Sequence, residues 1–232
     1  MAQNKPQAEK DPEVAIASAI GRVEAFIMRN SRSLLTALGV VIIVVGGFFG
    51  YKYLVAVPRM EKASAMMFAA EQQFAQDSFK LALNGDGNFA GFLQVIEKYG
   101  STGTGNVARH YAGICYLRLG QYQEALDYLT QYKGSTDDVP SALLAAQNYG
   151  LRGDVYVQMG DYAEAAKSYE KAVATSSDPL TAPYDLKKAG EVYEKLGDNA
   201  KALAAYEAVE VDYPTSMEAR DIQKYIGRIQ QQ

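Results

Sequence analysis

The sequence predicts an all-α protein: one transmembrane helix followed by a solenoid of stacked helical hairpins. Three observations carry this reading. Leu34 to Tyr51 is an 18-residue run without a charged residue. Three later segments align with one another at periods of 40 and 37 residues. Each of those segments carries a glycine at its middle, where a helix can end and the chain reverse.

Composition narrows the function before any motif is read. Of 232 residues, 48% are apolar and 22% charged, enough to build a core and too apolar for a disordered chain. One cysteine leaves no internal disulfide, and one histidine leaves no multi-histidine zinc site. The charge is uneven. Residues 1–59 carry seven Lys/Arg against four Asp/Glu, and residues 60–232 carry 16 against 23. An acidic C-terminal part does not suit nucleic acid, and the split at the apolar run points to two compartments.

The apolar run reads LLTALGVVIIVVGGFFGY, with apolar character resuming after Lys52 as far as Val57. As a helix its 18 residues span about 27 Å, close to the hydrocarbon core of a bilayer. Tyr51 and Tyr53 sit where an aromatic belt lies, and Lys52 reaches the headgroups. A cleaved signal has a shorter apolar region ending at small residues; this run ends in bulky residues and Pro58. The expected anchor is therefore 34–57. Basic residues flank it almost equally, so orientation rests on a short N-terminal segment before a single span: N-terminus in the cytoplasm, large domain outside. Gly46 and Gly50 form a GxxxG pair, compatible with helix pairing or with ordinary glycine content. Ahead of the span, Asp11-Pro12-Glu13 reads as a helix start. Ile16, Ile20, Val23 and Ile27 then share one face, either of an interfacial amphipathic helix or of a partly helical tail. Residues 1–10 read as disordered.

The aligned segments are Gly113–Leu129, Gly153–Tyr169 and Gly190–Tyr206. They share Gly113/Tyr116/Gly120/Ala125, Gly153/Tyr156/Gly160/Ala165 and Gly190/Tyr193/Gly197/Ala202, each followed four residues on by a large apolar side chain. The first glycine of each set permits close helix crossing, the tyrosine fills the gap between hairpins, the second glycine ends the helix, and the alanine packs back. A single helix–turn–helix of this kind cannot bury its apolar face, so the units must stack.

These motifs resemble the tetratricopeptide repeat (TPR) family, and the resemblance implies a TPR-like helical-hairpin solenoid over 58–232. Its expected parts are a degenerate unit 58–100, repeats at about 106–133, 146–174 and 183–214, and a polar capping helix 216–231. In the degenerate unit, a long first helix 58–83 precedes a second ending at Tyr99. The sequence departs from the family at the first-helix aromatic position, filled by Arg109, Tyr149 and Leu186, and its period is stretched by 134–141 and 175–183, which read as loops.

No feature carries catalytic chemistry, so the protein is expected not to be an enzyme and to use no cofactor or metal. No phosphate-binding glycine loop of the GxxxxGKS type is present. Asn84–Asn88 (NGDGN) lacks the remaining oxygen ligands of a calcium loop and reads as a turn. His110 and Cys115 are five apart and fall on different faces of one helix. Asp137 and Asp138 read as a solvated loop pair.

The resemblance places a partner-binding groove on the first helix of each repeat. Carried over, it comprises His110, Ile114, Leu117 and Arg118; Asp154, Val157 and Gln158; and Lys187, Glu191, Glu194 and Lys195. The Lys/Asn set that clamps a terminal carboxylate in chaperone-tail-binding TPR domains is missing. Anchor plus solenoid further resembles the YfgM-like family of Bacteroidetes type. That resemblance implies an ancillary subunit of the SecYEG translocon in the bacterial inner membrane, with a cytoplasmic tail 1–33 and a periplasmic solenoid, assisting secreted proteins beside a membrane-anchored periplasmic chaperone. Its partners are proteins and one membrane, with neither nucleic acid nor a small-molecule substrate. The alternative is a scaffold for cell-wall or outer-membrane assembly that binds no client.

Overall fold

The computed structural model describes residues 12–231; the expectations for residues 1–10 and the Asp11 cap lie outside them. Its elements are helical, and the described residues contain no strand beyond an isolated bridge between Gly85 and Ala90. The chain divides into two units, residues 1–58 and 59–232.

The first unit is built on helix α1, Pro12–Tyr51. The segment before the apolar run is helical and continuous with it. At 1.5 Å per residue, 40 residues reach about 60 Å, twice a bilayer core. α1 contributes the apolar run of one helix long and apolar enough to cross a membrane, among the described residues. None of that stretch is buried: Ile42, Ile43, Val44 and Phe48 all stand exposed on different sides. Thr36, the one aliphatic hydroxyl in the run, donates to the Arg32 carbonyl at 2.6 Å. After α1 comes one wide π turn, Lys52–Ala56, in which Val57 N–H reaches the Lys52 carbonyl. Pro58 explains it: proline has no N–H for the Leu54 carbonyl and crowds it, so the helix widens just ahead.

The second unit begins within α2 (Val57–Ala75) and continues with α3 (Phe79–Asn84) and α4 (Phe92–Tyr99). Here the structure corrects the single long helix expected over 58–83. Asp77 adopts a left-handed conformation (φ 56°), and the Asp77 and Ser78 amides close back on the Phe74 and Gln73 carbonyls, which terminates α2. The break lets Phe79 fold back onto Phe74 (ring centroids 5.6 Å apart). Phe74 also packs edge-on against Phe92 and Tyr111, which are themselves stacked at 5.2 Å. Edge-to-face and offset aromatic pairs of this kind stabilise by about 0.5–1.5 kcal/mol beyond their burial. The break lies in the backbone of one aspartate, which a family resemblance does not register. Asn84–Asn88 is a turn, closed by Asp86 accepting from the Asn88 and Phe89 amides.

Three hairpins follow: α5 (Gly103–Arg118) with α6 (Tyr122–Gln131), α7 (Val139–Met159) with α8 (Tyr162–Thr175), and α9 (Ala182–Leu196) with α10 (Asn199–Asp212). Each pair closes the same way. Gly120, Gly160 and Gly197 have φ of 74°, 79° and 75° and end the first helix in left-handed geometry. The next residue's amide then reaches back to the Tyr116, Tyr156 or Tyr193 carbonyl. In the second and third hairpins that next residue is aspartate, whose carboxylate caps the following helix by accepting from Glu164 or Lys201 N–H. The first hairpin has Gln121 there and no side-chain cap.

The repeat alanines sit in the first turn and a half of each second helix. Ala125, Ala165 and Ala202 are all wholly buried. Ala125 belongs to a small cluster with Leu129 and Val155, while Ala165 and Ala202 share the larger core that holds Tyr169 and Tyr206. The crossing is tight at the first of them: a Cβ on Gly113 would come within 3.2 Å of the Ala125 carbonyl oxygen. A larger side chain at these positions would have to displace packed neighbours.

α7 begins earlier than expected. Asp138 is its N-cap, accepting from Ser141 N–H at 2.8 Å, with Pro140 in the first turn, so part of the stretch read as a loop is helix. After α10, a short 3₁₀ turn (Glu218–Arg220) leads into α11 (Ile222–Gln230), which seats Ile222, Ile226 and Ile229 on the last hairpin.

The conformational and steric roles of the glycines separate cleanly. Around Gly160 nothing lies within 4 Å of an added Cβ, so Gly160→Ala meets only the cost of a left-handed alanine. We expect a loss of roughly 1 kcal/mol. A Cβ at Gly153 instead meets the Tyr169 ring at 2.5 Å. Thermal melts of both variants should therefore show a small shift for Gly160→Ala and a clearly larger one for Gly153→Ala.

Candidate functional site

The inner faces of α5, α7 and α9, the first turn of α6, and Tyr162 and Tyr169 of α8 enclose a groove of about 630 Å³. Its walls follow from the repeat: each first helix contributes residues four or five positions after its close-packed glycine, Leu117 and Arg118, Val157 and Gln158, and Lys195. Of the residues expected there, the groove gathers Leu117, Arg118, Asp154, Val157, Gln158, Glu191 and Lys195. Four lie elsewhere. His110 is 1% exposed and sits between α5 and α7, paired with Asn148 at 3.2 Å (Nδ1 to Nδ2). Asn148 from α7 and the Tyr132 ring, 5.6 Å away, cover that position. Ile114 is half-buried away from the groove. Lys187 lines a separate hollow with Tyr184, Met217 and Asp221, and pairs with Asp221 at 2.9 Å. Glu194 turns toward the C-terminal helix, where Arg228 and the Tyr206 hydroxyl both bind its Oε1.

The repeat signature and the groove are different sets of residues. Ala125, Ala165 and Ala202 are closed off in the core and line no part of the groove, so no partner segment laid there can touch them. The reason is geometric: a residue that holds two helices together at their crossing is covered by that crossing.

The groove also holds residues the carried-over offsets missed: Leu151, Tyr184, Lys188 and, from the second helices, Tyr169, Tyr122 and Tyr162. A signal for the last two was present, since both stand two residues after a turn glycine (Gly120, Gly160). The first turn of a second helix thus lines the groove alongside the first helices.

At its centre is a charge cluster. Lys188 Nζ lies 2.5 Å from Asp154 Oδ1, the oxygen that also accepts from the Tyr169 hydroxyl at 2.6 Å. The Lys188 ammonium stands 4.0 Å over the Tyr184 ring. Burial opposes the charge on Lys188, but Asp154 and Tyr184 outweigh it and raise its pKa. Asp185, 5% exposed, packs beside Gly150, where a Cβ would meet its Oδ1 at 2.6 Å. Burial pushes the Asp185 carboxyl up to about 7, against the pull of Lys188 and with the push of Asp154. This arrangement can order a polar segment laid across it: cations at Arg118, Lys188 and Lys195, acceptors at Asp154 and Glu191, and tyrosine edges between.

Cys115 and His110 form no nucleophile pair. Burial pushes the thiol up to about 12 and the imidazole down to about 4, the reverse of a thiolate–imidazolium couple.

The stacked hairpins and their groove define a helical-repeat scaffold for protein–protein interaction. More particularly, residues 112–216 carry tetratricopeptide repeats. A tetratricopeptide repeat family model matches 112–178 and a second matches 151–216. No curated protein matches the chain in sequence. Among solved structures, the chain is similar to MamA protein (17% identity, TM-score 0.57, covering 74% of this chain and 82% of that one). It is also similar to a tetratricopeptide repeat protein from Parabacteroides merdae (15% identity, TM-score 0.58, covering 74% of this chain and 61% of that one). At these identities the likeness is one of fold.

Proposed function

We propose that the chain is a membrane-anchored interaction module whose groove holds an extended segment of a partner protein. The observation that carries this is the groove itself, with its Lys188–Asp154 centre flanked by Tyr122, Tyr162 and Tyr184. The exposed apolar run in α1 supplies the anchor, which confines the repeats to the membrane surface and raises their effective concentration near membrane partners.

In the finer reading, 1–33 is a cytoplasmic tail, 34–57 spans the bacterial inner membrane and 58–232 is periplasmic. The module is then an ancillary subunit of the SecYEG translocon working beside a membrane-anchored periplasmic chaperone on secreted proteins. What supports this is the resemblance to the YfgM-like family together with an anchor followed by a repeat scaffold.

The test is mild detergent extraction of the tagged full-length protein, with mass spectrometry of what copurifies. Arg118 and Lys195 are exposed at the groove, so Arg118→Glu with Lys195→Glu changes its charge without touching the core. SecYEG recovered in stoichiometric amount with the parent, and lost with the double variant, is the expected outcome. Cell-wall or outer-membrane assembly proteins in its place would replace the translocon role with that of an envelope scaffold. Partners retained undiminished by the double variant would sink the groove as the binding surface.

A further inference from the structure

Much of the charge in the groove is already answered by the chain itself. Asp154 receives both Lys188 and the Tyr169 hydroxyl on one oxygen, at 2.5 and 2.6 Å. Beside the groove, Lys187 is held by Asp221 and Glu194 by Arg228. What remains unanswered is a row. Arg118, Gln158 and Lys195 each stand five residues after a close-packed glycine (Gly113, Gly153 and Gly190), so the three first helices present them at equivalent levels. All three are exposed. Among the described residues, neither Arg118 nor Lys195 has a hydrogen-bond or ion-pair partner. The Gln158 carbonyl oxygen accepts from the Tyr122 hydroxyl at 3.3 Å, which leaves the amide NH2 to donate.

The row therefore offers donors, two of them cationic, and wants acceptors. Apolar side chains stand next to its first two members: Leu117 precedes Arg118 and Val157 precedes Gln158, both half-buried in the groove wall. On α9 the equivalent position is Glu194, turned away to Arg228, so the apolar strip ends there. Helices packed side by side lie about 8–10 Å apart, which gives the row a span of about 16–20 Å from α5 to α9. An extended chain advances about 3.3 Å per residue and turns alternate side chains to opposite edges. About six extended residues then cover the row, every second side chain on the donors and the others on the apolar strip. Glu191 is the one carboxylate of the groove lining without an ion-pair partner among the described residues, and it stands four residues before Lys195, off the row. Two free cations against one free anion favour an anionic segment. Over residues 60–232 the balance is the reverse, 16 Lys/Arg against 23 Asp/Glu, so such a segment is drawn to this row and repelled by the acidic balance around it.

We infer that the groove selects an extended segment of a partner protein in which acidic side chains alternate with apolar ones. Its acidic edge lies on Arg118, Gln158 and Lys195, and its apolar edge on Leu117 and Val157. A basic segment is opposed by the two cations, and a wholly apolar one strips water from donors that it leaves unpaired. The inference rests on the reading of this groove as the partner-binding surface.

The test is fluorescence anisotropy with the full-length protein in phosphatidylcholine nanodiscs. The probes are acetylated, amidated peptides of about six residues, in which Glu, Lys or Ser alternates with Leu and Val, each with a benzophenone at one end. The Glu peptide is expected to bind about tenfold more tightly than the Ser peptide, as two exposed ion pairs imply, and the Lys peptide more weakly still. Added salt should erase most of the difference. Arg118→Gln and Lys195→Gln should each weaken the Glu peptide about two- to fivefold, and Glu191→Gln should tighten it by a similar factor. Tighter binding of the Lys peptide, equal binding of all three, no binding of the Glu peptide, or a Glu191→Gln variant that binds it less well would each overturn the acidic preference. Photo-cross-linking locates the peptides separately. Equal binding with cross-links on α5, α7 and α9 defeats the acidic preference and leaves the groove as the binding surface; cross-links outside the groove defeat the groove reading itself.

Discussion

Gly190→Val is expected to open the third hairpin. Gly190 faces the Tyr206 ring across the α9–α10 crossing, and an added Cβ falls closer than 3.0 Å to three of its carbons. The ring has nowhere to go. Tyr206 is wholly buried, packs on Tyr225 at 5.2 Å, and its hydroxyl is held by Glu194, which Arg228 also binds. Desolvation works against the Glu194 charge, yet Arg228 and the Tyr206 hydroxyl hold its pKa below the usual carboxylate range. Moving the ring therefore breaks a three-member polar contact as well as apolar packing. Overpacking alone costs about 1–3 kcal/mol. A β-branched side chain against a fixed ring and a buried hydrogen bond places Gly190→Val at the upper end or beyond. Tyr206→Ala, the complementary deletion, should cost about 3–5 kcal/mol through the cavity it leaves. In a solenoid each hairpin leans only on its neighbours, so the damage should be local. Hydrogen exchange should show protection lost in α9 to α11 and largely kept in α4 and α5. Uniform loss across the unit would mean that the repeats unfold as one.

The second large effect is a pair of opposed pH dependences hidden in the parent protein. His110 is neutral in the fold, held down to about 4 by burial, while an unfolded histidine titrates near 6.5. As pH falls from 6.5 to about 4, the unfolded chain takes up a proton the native state refuses, and stability is lost. Asp185 is raised to about 7 by burial, against 3.8 when unfolded. Its contribution is present below 3.8 and is lost as pH rises toward 7, because there the native state holds a proton that the unfolded chain has released. The windows overlap between about 4 and 6.5 with opposite signs, so the two groups together leave stability nearly flat there. Asp185→Asn keeps the shape and removes the titration. It should stabilise the repeat unit at pH 8 by up to about 4 kcal/mol, at roughly 1.4 kcal/mol per pKa unit. It should also expose a loss of stability on acidification that the parent does not show. His110→Gln should unmask the reverse trend, a protein most stable near pH 4. Denaturant midpoints for the three proteins across pH 4–8 measure this directly. Parallel curves would show that neither group titrates as its burial requires.

Both effects arise where sequence reading reached only part of the way. Gly190 stood out because the repeat placed a glycine at the same register in three segments, and the crossing with Tyr206 explains that placement. Asp185 and His110 gave no comparable sign. One sits in an ordinary first helical turn, and the other was assigned to the groove by its offset from Gly113. What buries His110 is its meeting with Asn148 on α7 and with the Tyr132 ring, both far from it along the chain. The same limit explains the groove. Offsets along the first helices found Leu117, Arg118, Asp154, Val157, Gln158, Glu191 and Lys195. They missed Tyr122 and Tyr162, because those come from the second helices and reach the groove only through the hairpin angle.

By itself the sequence determined the helical hairpins, their register and the existence of one helix apolar enough to enter a membrane. Those properties are local and periodic: a glycine that must be left-handed, an alanine such as Ala125, Ala165 or Ala202 too small to push helices apart, a run with no charge. Tertiary structure alone decided which side chains face one another across hairpins. It fixed the break at Asp77, the pairing of Lys188 with Asp154, the withdrawal of His110 and the burial of Asp185. A carboxylate's pKa and a groove's lining depend on distances between residues far apart in the chain, and those are set by packing angles that no spacing along the chain encodes.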